Sequence, residues 1–417
     1  MNPVHRREFA TFISYAHVDK AVVDKLYDWL HNVAGISVWY DDDQLPSGEL
    51  ISNYLPEAVA RCRSMIVVLS KDSVRSDWVK KEHAVADGQG KGFRIIPLRI
   101  DECEPPSFLP FRKWIPLTGG ALDLSICNQI LDSMYHDEQD SSLGRTKDIY
   151  VSRTWRESEA RRADDVCGQF ITRGFRLIGD AKDHKHFGER RVEAIISSCG
   201  AFLAILPARP PADLRFFREE IEIARSLGLP SVILAEQGTE IDPAWEDQKV
   251  GPSLCVPLSG DGADLSGAVE FLKERWDEPR NPHYTFLSTD FDDAHAVRNR
   301  TVRSVVQRVT AVSCQLGAEI RGDQIYRRIS DSISKAMMVI ADISGSNGSN
   351  LNTCIEAGIA RGAGRPLHLV SAGPRTQPPF MLRDYEVGYY KDDVELLGLA
   401  HKIAYEYRRR VLNWELR

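Results

Sequence analysis

Three glutamates in this chain of 417 residues stand in the same relation to three serines. Ser14 closes the apolar run Phe12-Ile13-Ser14, Ser152 closes Tyr150-Val151-Ser152, and Ser288 closes Phe286-Leu287-Ser288. A Glu follows each serine 68 positions later, with Ala four residues beyond the acid: Glu82 in EHAVA, Glu220 in EIEIA and Glu356 in EAGIA. A carboxylate at such a place can stabilise a developing positive charge or hold hydroxyl groups in a site shielded from water. The serine can bind substrate or simply end a strand. The serines are spaced by 138 and then 136 residues. That period is too long for a solenoid repeat and long enough for each copy to be a domain.

The elements around these residues are strands alternating with helices. In the first copy the pattern predicts strands at Phe9–Ser14, Ile36–Tyr40, Met65–Leu69 and Arg94–Ile100. Between them it places a helix with Val22, Val23, Leu26, Trp29 and Leu30 on one face, helices at Ile51–Ala60 and Trp78–Ala86, and a closing helix near Leu122–Met134. The second copy repeats the order with Ile149–Ser152, Phe175–Ile178, Phe202–Leu206, the Glu220 helix, Ser231–Ala235 and a helix near Leu265–Trp276. The third has Tyr284–Ser288, Glu319–Arg321, Met337–Ile343, the Glu356 helix, Pro366–Val370 and Val394–Val411. Such alternation predicts an α/β fold of doubly wound parallel sheets. Three tandem domains follow, at 1–135, 148–276 and 284–417, with His136–Lys147 and Asp277–His283 as linkers short enough for the domains to pack on one another. A helix beyond a parallel strand places Glu82 at the carboxyl edge of its sheet, where open α/β folds bind ligands. Trp78, four residues before Glu82, shares its helix face.

Composition narrows the classes. An apolar share of 43% and a charged share of 27% suit soluble globular domains, each with its own core. The net charge of −7 leaves no electrostatic footprint for nucleic acid. No apolar stretch approaches the ~20 residues of a membrane span, and the start MNPVHRREF is too polar for a signal peptide. Eight scattered cysteines, without CxxC pairs or His clusters, predict buried reduced thiols, no structural metal and a cytoplasmic protein.

The first copy resembles the Toll/interleukin-1 receptor (TIR) domain family over nearly its whole length. The matching pieces are FISYAHVDK (Phe12–Lys20), YDDDQLPSGE (Tyr40–Glu49), IVVLS (Ile66–Ser70) and SDWVKKE (Ser76–Glu82), in order and at domain spacing. The resemblance implies a flavodoxin-like fold and one of two functions. Some family members cleave NAD between nicotinamide and ribose with a Glu at the position of Glu82, and others are binding adaptors. On the first implication Glu82 is catalytic, NAD+ is the substrate and no cofactor is needed. Ser14, Tyr15, Trp39, Asp41, Ser76 and Trp78 then bind the substrate. Cleavage passes through a transition state with oxocarbenium character, as in glycoside hydrolysis. Nicotinamide leaves as a neutral molecule from a cationic pyridinium, so one carboxylate suffices. The aromatic faces of Tyr15, Trp39 or Trp78 can stack on adenine or on the pyridinium. The resemblance also implies a homo-oligomer formed through the loop Asp41–Gly48, and a conditionally activated bacterial immune or signalling effector, antiphage defence included.

The third copy resembles the nucleoside 2-deoxyribosyltransferases through VIADISGSNGSNLNTCIEAGIARGAGRPLHLV (Val339–Val370). In that family the Glu of the ExGxA segment is the nucleophile. The match implies a second site with Glu356, Asp342 and Asn352. The second copy resembles either family only in outline: Phe216 replaces Trp78, and Glu220 is expected to be a relic or a surface acid. Three readings remain: an NAD+ hydrolase acting through Glu82, a scaffold without enzymatic activity, and an N-glycosidase or transferase acting through Glu356.

Overall fold

The computed structural model describes residues 9–40, 51–89, 93–104, 106, 109, 113–139, 148–154, 156–179, 192–193, 195–196, 199–247, 252–258, 264–275, 284–290, 292–310, 312–345, 348–373 and 378–408. The first repeat contains β1 (Phe9–Ser14), α1 (Lys20–Asp28), β2 (Val38–Trp39), α2 (Ile51–Ala60) and β3 (Cys62–Leu69). It continues with α3 (Asp77–Asp87), β4 (Arg94–Arg99), β5 (Ile115–Pro116) and α4 (Leu124–Gln139). The second contains β6 (Asp148–Ser152), α5 (Glu157–Thr172), β7 (Arg176–Ile178), β8 (Ala201–Leu206), α6 (Arg215–Ser226), β9 (Ser231–Glu236), β10 (Ser253–Leu258) and α7 (Ser266–Arg275). The third opens with β11 (Tyr284–Ser288), α8 (Ala296–Thr310), β12 (Ser313–Leu316), α9 (Ile325–Lys335) and β13 (Val339–Asp342). After the small hairpin β14 (Ser344–Gly345) and β15 (Gly348–Ser349) come α10 (Leu351–Gly362), β16 (Leu367–Ala372), β17 (Val387–Tyr390) and α11 (Asp393–Tyr407).

Each repeat builds one five-stranded sheet, in the orders β2-β1-β3-β4-β5, β7-β6-β8-β9-β10 and β12-β11-β13-β16-β17. This one order, repeated three times, is the flavodoxin-like, doubly wound arrangement. The central strands are nearly all apolar because helices cover both faces of a parallel sheet. β3 reads Cys-Arg-Ser-Met-Ile-Val-Val-Leu with only Arg63 exposed, and all six residues of β8 are buried. The register is the same at the point that matters for chemistry. Ser14, Ser152 and Ser288 each end their strand opposite Val67, Ala204 and Ala341 of the neighbouring central strand.

The expected strand at Glu319–Arg321 is a correction. The strand is Ser313–Leu316, and Gly317–Glu319 is a 3-10 turn. Cys314 and Leu316 alternate inward as a strand requires, and Gly317 then turns the chain before Ile320. The edge strands β5, β10 and β17 were not foreseen, and α4 runs to Gln139, through part of the expected first linker.

By internal packing the chain divides into two compact units. One comprises Met1–Gln139, Phe286–Val309 and Cys314–Glu406; the other comprises Asp140–Thr285, Thr310–Ser313 and Tyr407–Arg417. The first and third repeats thus share a unit although the second lies between them in sequence. Within that unit Trp29 Nε1 donates to the Val394 carbonyl at 3.0 Å, and Arg308 pairs with Asp132 at 2.9 Å. The second repeat carries a core on each face of its sheet. Val166, Phe170 and Leu272 belong to one, and Phe202, Phe217 and Trp245 to the other.

Candidate active site

Strand β1 and helix α3 bring the first serine and glutamate together. Ser14 Oγ donates a hydrogen bond to Glu82 Oε2, and both side chains are buried. Helix α3 is set by its first turn. Ser76 is the N-cap, its Oγ accepting from the Val79 amide at 3.4 Å, and Asp77 places negative charge at the positive end of the helix dipole. Val79 and Ala86 pack into the core, and Glu82 lies one turn after Val79, on the side facing β1. The sequence assigned Ser76 to ligand binding; its side chain here caps the helix.

One residue beyond Ser14 and one beyond Trp39, at the carboxyl ends of β1 and β2, begins a wall of aromatic rings. Tyr15 stacks on Tyr40 with ring centroids 5.8 Å apart, and Tyr40 stacks on Tyr27 at 4.7 Å. The Tyr40 hydroxyl donates to Asp24 Oδ1 at 2.6 Å and accepts from Lys20 Nζ at 2.8 Å. Burial, then the Asp24 hydrogen bond, raises the Tyr40 hydroxyl pKa, while the Tyr40 and Lys20 hydrogen bonds lower that of Asp24. Both shifts keep the phenol protonated and the carboxylate ionised at neutral pH. Lys20, Asp24 and Tyr40 were missed as a group. Their signal was the i, i+4 pair Lys20–Asp24 at the start of α1, together with a tyrosine at the end of the second strand.

Trp39 is placed in the core, 4% exposed and stacked on Phe12 at 4.9 Å. Asp41, with the rest of the loop Asp41–Gly48, lies outside the described residues, as does the side chain of Trp78. At the end of β3, Ser70 Oγ donates to Asp19 Oδ2 at 2.6 Å. Burial raises the Asp19 pKa, with Asp72 and Asp101 adding to the shift against the Ser70 hydrogen bond.

The third repeat reproduces the central pair. Ser288 Oγ donates to Glu356 Oε2, and burial raises the Glu356 pKa against the opposing effect of that hydrogen bond. Its helix is capped by Asn350, the counterpart of Ser76, whose Oδ1 accepts from the Asn352 amide at 3.0 Å. Asn352 itself is exposed. Asp342 follows Ala341, the register partner of Ser288, so strand alternation turns its side chain to the opposite face. There it accepts from the Tyr390 hydroxyl at 2.7 Å and lies 3.6 Å from Arg298.

The second repeat departs from both. Tyr150, not Ser152, donates to its glutamate, at 2.6 Å from Glu220 Oε1. Ser152 Oγ is buried and meets no hydrogen-bond partner among the described residues. The N-cap of α6 is Leu214, which offers no side-chain acceptor, and Phe216 is exposed. Glu220 is therefore not the surface acid expected from sequence: it is 1% exposed. Among the described residues no group of His, Cys, Asp or Glu is arranged to hold a metal, and no helix is long and apolar enough to cross a membrane. The eight cysteines are free thiols.

Comparison with known proteins bears on the first repeat. Residues 11–130 match the TIR domain family. NAD(+) hydrolase TcpA of Theionarchaea archaeon (strain DG-70-1) is 38% identical over 76 residues, 18% of this chain and 23% of that protein. Probable 2' cyclic ADP-D-ribose synthase TcpO of Methanobrevibacter olleyae is 28% identical over 80 residues, 19% of this chain and 24% of that protein. NAD(+) hydrolase PdTIR of Paracoccus denitrificans (strain Pd 1222) is 33% identical over 107 residues, 24% of this chain and 34% of that protein. The chain therefore spans about a quarter to a third of the length of these relatives.

Proposed function

We propose that the TIR domain formed by residues 11–130 cleaves NAD+ between nicotinamide and ribose, with Glu82 as the catalytic carboxylate. The observation that carries this reading is the buried Ser14–Glu82 pair at the carboxyl edge of the sheet, in the segment that resembles proteins named NAD(+) hydrolases. The bond between C1′ and the pyridinium nitrogen breaks with its electron pair going to nitrogen, and nicotinamide leaves neutral. Water then adds to C1′ and gives up a proton, which yields ADP-ribose. Capture by a nucleophile within the same molecule yields a cyclic form instead. Glu82 stabilises the charge on the sugar or holds its hydroxyls, in a site where little water screens it. Ser14 fixes the carboxylate, Ser76 fixes the helix that carries it, and Tyr15 with Tyr40 forms an aromatic wall for adenine or pyridinium. We assign the chain the role of a conditionally activated immune or signalling effector, with Asp41–Gly48 as the loop through which TIR domains of neighbouring chains assemble.

The test is free nicotinamide from purified protein incubated with NAD+. Release by the wild type and its loss in Glu82→Ala support the assignment; turnover that survives Glu82→Ala overturns it. Specific activity that rises with protein concentration supports assembly, whereas a flat profile across a hundredfold dilution of a monomer removes it.

A second reading rests on the Ser288–Glu356 pair, which matches the first in partner and burial. It places an N-glycosidase or transferase in the third repeat. Nucleobase release that is abolished by Glu356→Ala and indifferent to Glu82→Ala selects it.

A further inference from the structure

The seam inside the first compact unit joins equivalent surfaces of two repeats. The segment 29–35, which continues α1, meets α11, while α4 meets both α8 and α11. In repeat order α1 corresponds to α8 and α4 to α11, so each repeat contributes the same two helices. A two-fold dimer interface between separate subunits has this self-complementary character.

Its contacts are close and specific. Helix α11 carries Gly398, where a Cβ would stand 2.7 Å from Val33 Cγ1 and 3.2 Å from Trp29 Nε1. On the other side Gly35, at φ +67°, faces Lys402, whose Cγ would lie 2.8 Å from a Cβ there. Backbone therefore meets side chain at both glycines, so a side chain at either position crowds the seam. His401 has no exposed surface, and its Nδ1 lies 2.7 Å from the Ala34 carbonyl. A carbonyl only accepts, so Nδ1 carries the hydrogen, and Nε2 accepts from the Tyr135 hydroxyl at 2.8 Å. Arg308, nearly buried, pairs with Asp132 at 2.9 Å and reaches Asn128 at 3.4 Å.

One helix links this seam to the candidate site. The end of α1 is held there through Trp29 and Ala34, while Lys20 and Asp24 of the same helix hold Tyr40 in the aromatic wall. Helix α1 has nine residues and its helical backbone runs on through Trp29–Val33, so the end with Lys20 and Asp24 and the end with Trp29 and Ala34 belong to one hydrogen-bonded segment. Displacing one end displaces the other.

We propose that the third repeat serves the first as a second subunit built into the chain. It occupies the α1–α4 face in cis, which removes that face from any assembly of chains, and it positions the aromatic wall of the Glu82 site through α1. The positioning role rests on the NAD+ reading; the hold on α1 does not. Trp29, Ala34 and His401 are thus positioning residues, remote from the reacting atoms.

The test uses the full chain with Arg308→Glu, Asp132→Arg and the double reversal, and Gly398→Leu as a steric wedge. Amide hydrogen exchange is followed over residues 20–34 and 394–401, with kcat and KM for NAD+ measured in parallel. The expected result is faster exchange across α1 in each single variant and in the wedge, with kcat lower by roughly ten- to a hundredfold. The double reversal restores both. Faster exchange at unchanged kcat and KM overturns positioning. Exchange across α1 that stays at the wild-type rate in every variant overturns the built-in subunit. A wild type that releases no nicotinamide refutes the Glu82 assignment instead, and exchange with its rescue still decides the hold on α1.

Discussion

In the first and third repeats a serine hydroxyl holds the buried glutamate; in the second a phenol two residues earlier has taken its place. The change is small in sequence. Tyr150 stands where the other repeats have Phe12 and Phe286, at the same register on the same strand, and gains one hydroxyl group. That hydroxyl reaches Glu220 from within the core, where Tyr150 stacks on Phe202 at 5.8 Å. The helix cap is missing from the same repeat, Leu214 standing for Ser76 and Asn350. Yet the strand order is unchanged. A Ser–Glu pair is therefore not needed to build the sheet, and its presence in the other two repeats calls for an explanation beyond folding.

The largest effect expected from this contrast lies in the acids themselves. Glu82→Ala should lower NAD+ turnover by roughly a thousandfold, the scale of losing a main electrostatic stabiliser. Glu220→Ala should leave turnover unchanged and destabilise the second repeat by about 1–3 kcal/mol, because the buried hydrogen bond from the Tyr150 hydroxyl to the carboxylate is lost. Nicotinamide release and denaturant titration separate the two outcomes, and an Glu220→Ala chain that loses turnover breaks the contrast.

The serines should differ in the same sense. Ser14→Ala is expected to cost roughly ten- to a hundredfold in turnover with the fold retained, since Glu82 then has lost the donor that orients it. Ser152→Ala removes a buried hydroxyl that has no partner among the described residues and should raise stability by up to about 1 kcal/mol. A thermal melt that falls on Ser152→Ala contradicts this.

Phe12→Tyr converts the first repeat toward the second. If the phenol captures Glu82 as Tyr150 captures Glu220, turnover should fall several-fold while the circular dichroism spectrum stays unchanged. Full activity in this variant shows that the two sites differ by more than one hydroxyl.

A last comparison concerns pH, and it changes stability, not turnover. Burial lowers the His401 pKa from 6.5 to about 4, so the unfolded chain takes up a proton that the folded chain refuses. The neutral ring's contribution is complete above pH 6.5 and is lost as pH falls toward 4, up to about 3 kcal/mol. Glu356 has the opposite sign. Its raised folded pKa means stability is fullest below its usual value of 4.5 and declines as pH rises. At neutral pH Glu356→Gln should therefore raise the melting temperature slightly, and a fall contradicts the assignment of burial as the cause.

Much of the architecture was legible in the chain. Strand β1 and helix α2 fall on the residues expected from their patterns, because alternation and a 3.6-residue period are local properties. The 68-residue spacing marked the Ser–Glu pairs, since a fixed topology returns the same strand end to the same helix. Short edge strands such as Ile115–Pro116 were not legible, for two residues carry no period. Nor was the strand Ser313–Leu316, where Glu319-Ile320-Arg321 offered an equally apolar centre three residues later.

Sequence alone determined three like repeats, their parallel sheets, the first repeat's TIR character and the acids worth testing. Only the tertiary structure decided that Trp39 packs on Phe12, that Ser76 caps a helix, and that Asp342 faces away from Ser288. It alone paired Glu220 with Tyr150 and joined the first repeat to the third. The division has a physical cause. Periodicity and caps depend on neighbours along the chain. A hydroxyl's choice of carboxylate, or a helix face's choice of partner, depends on distances that exist only once the strands are laid side by side.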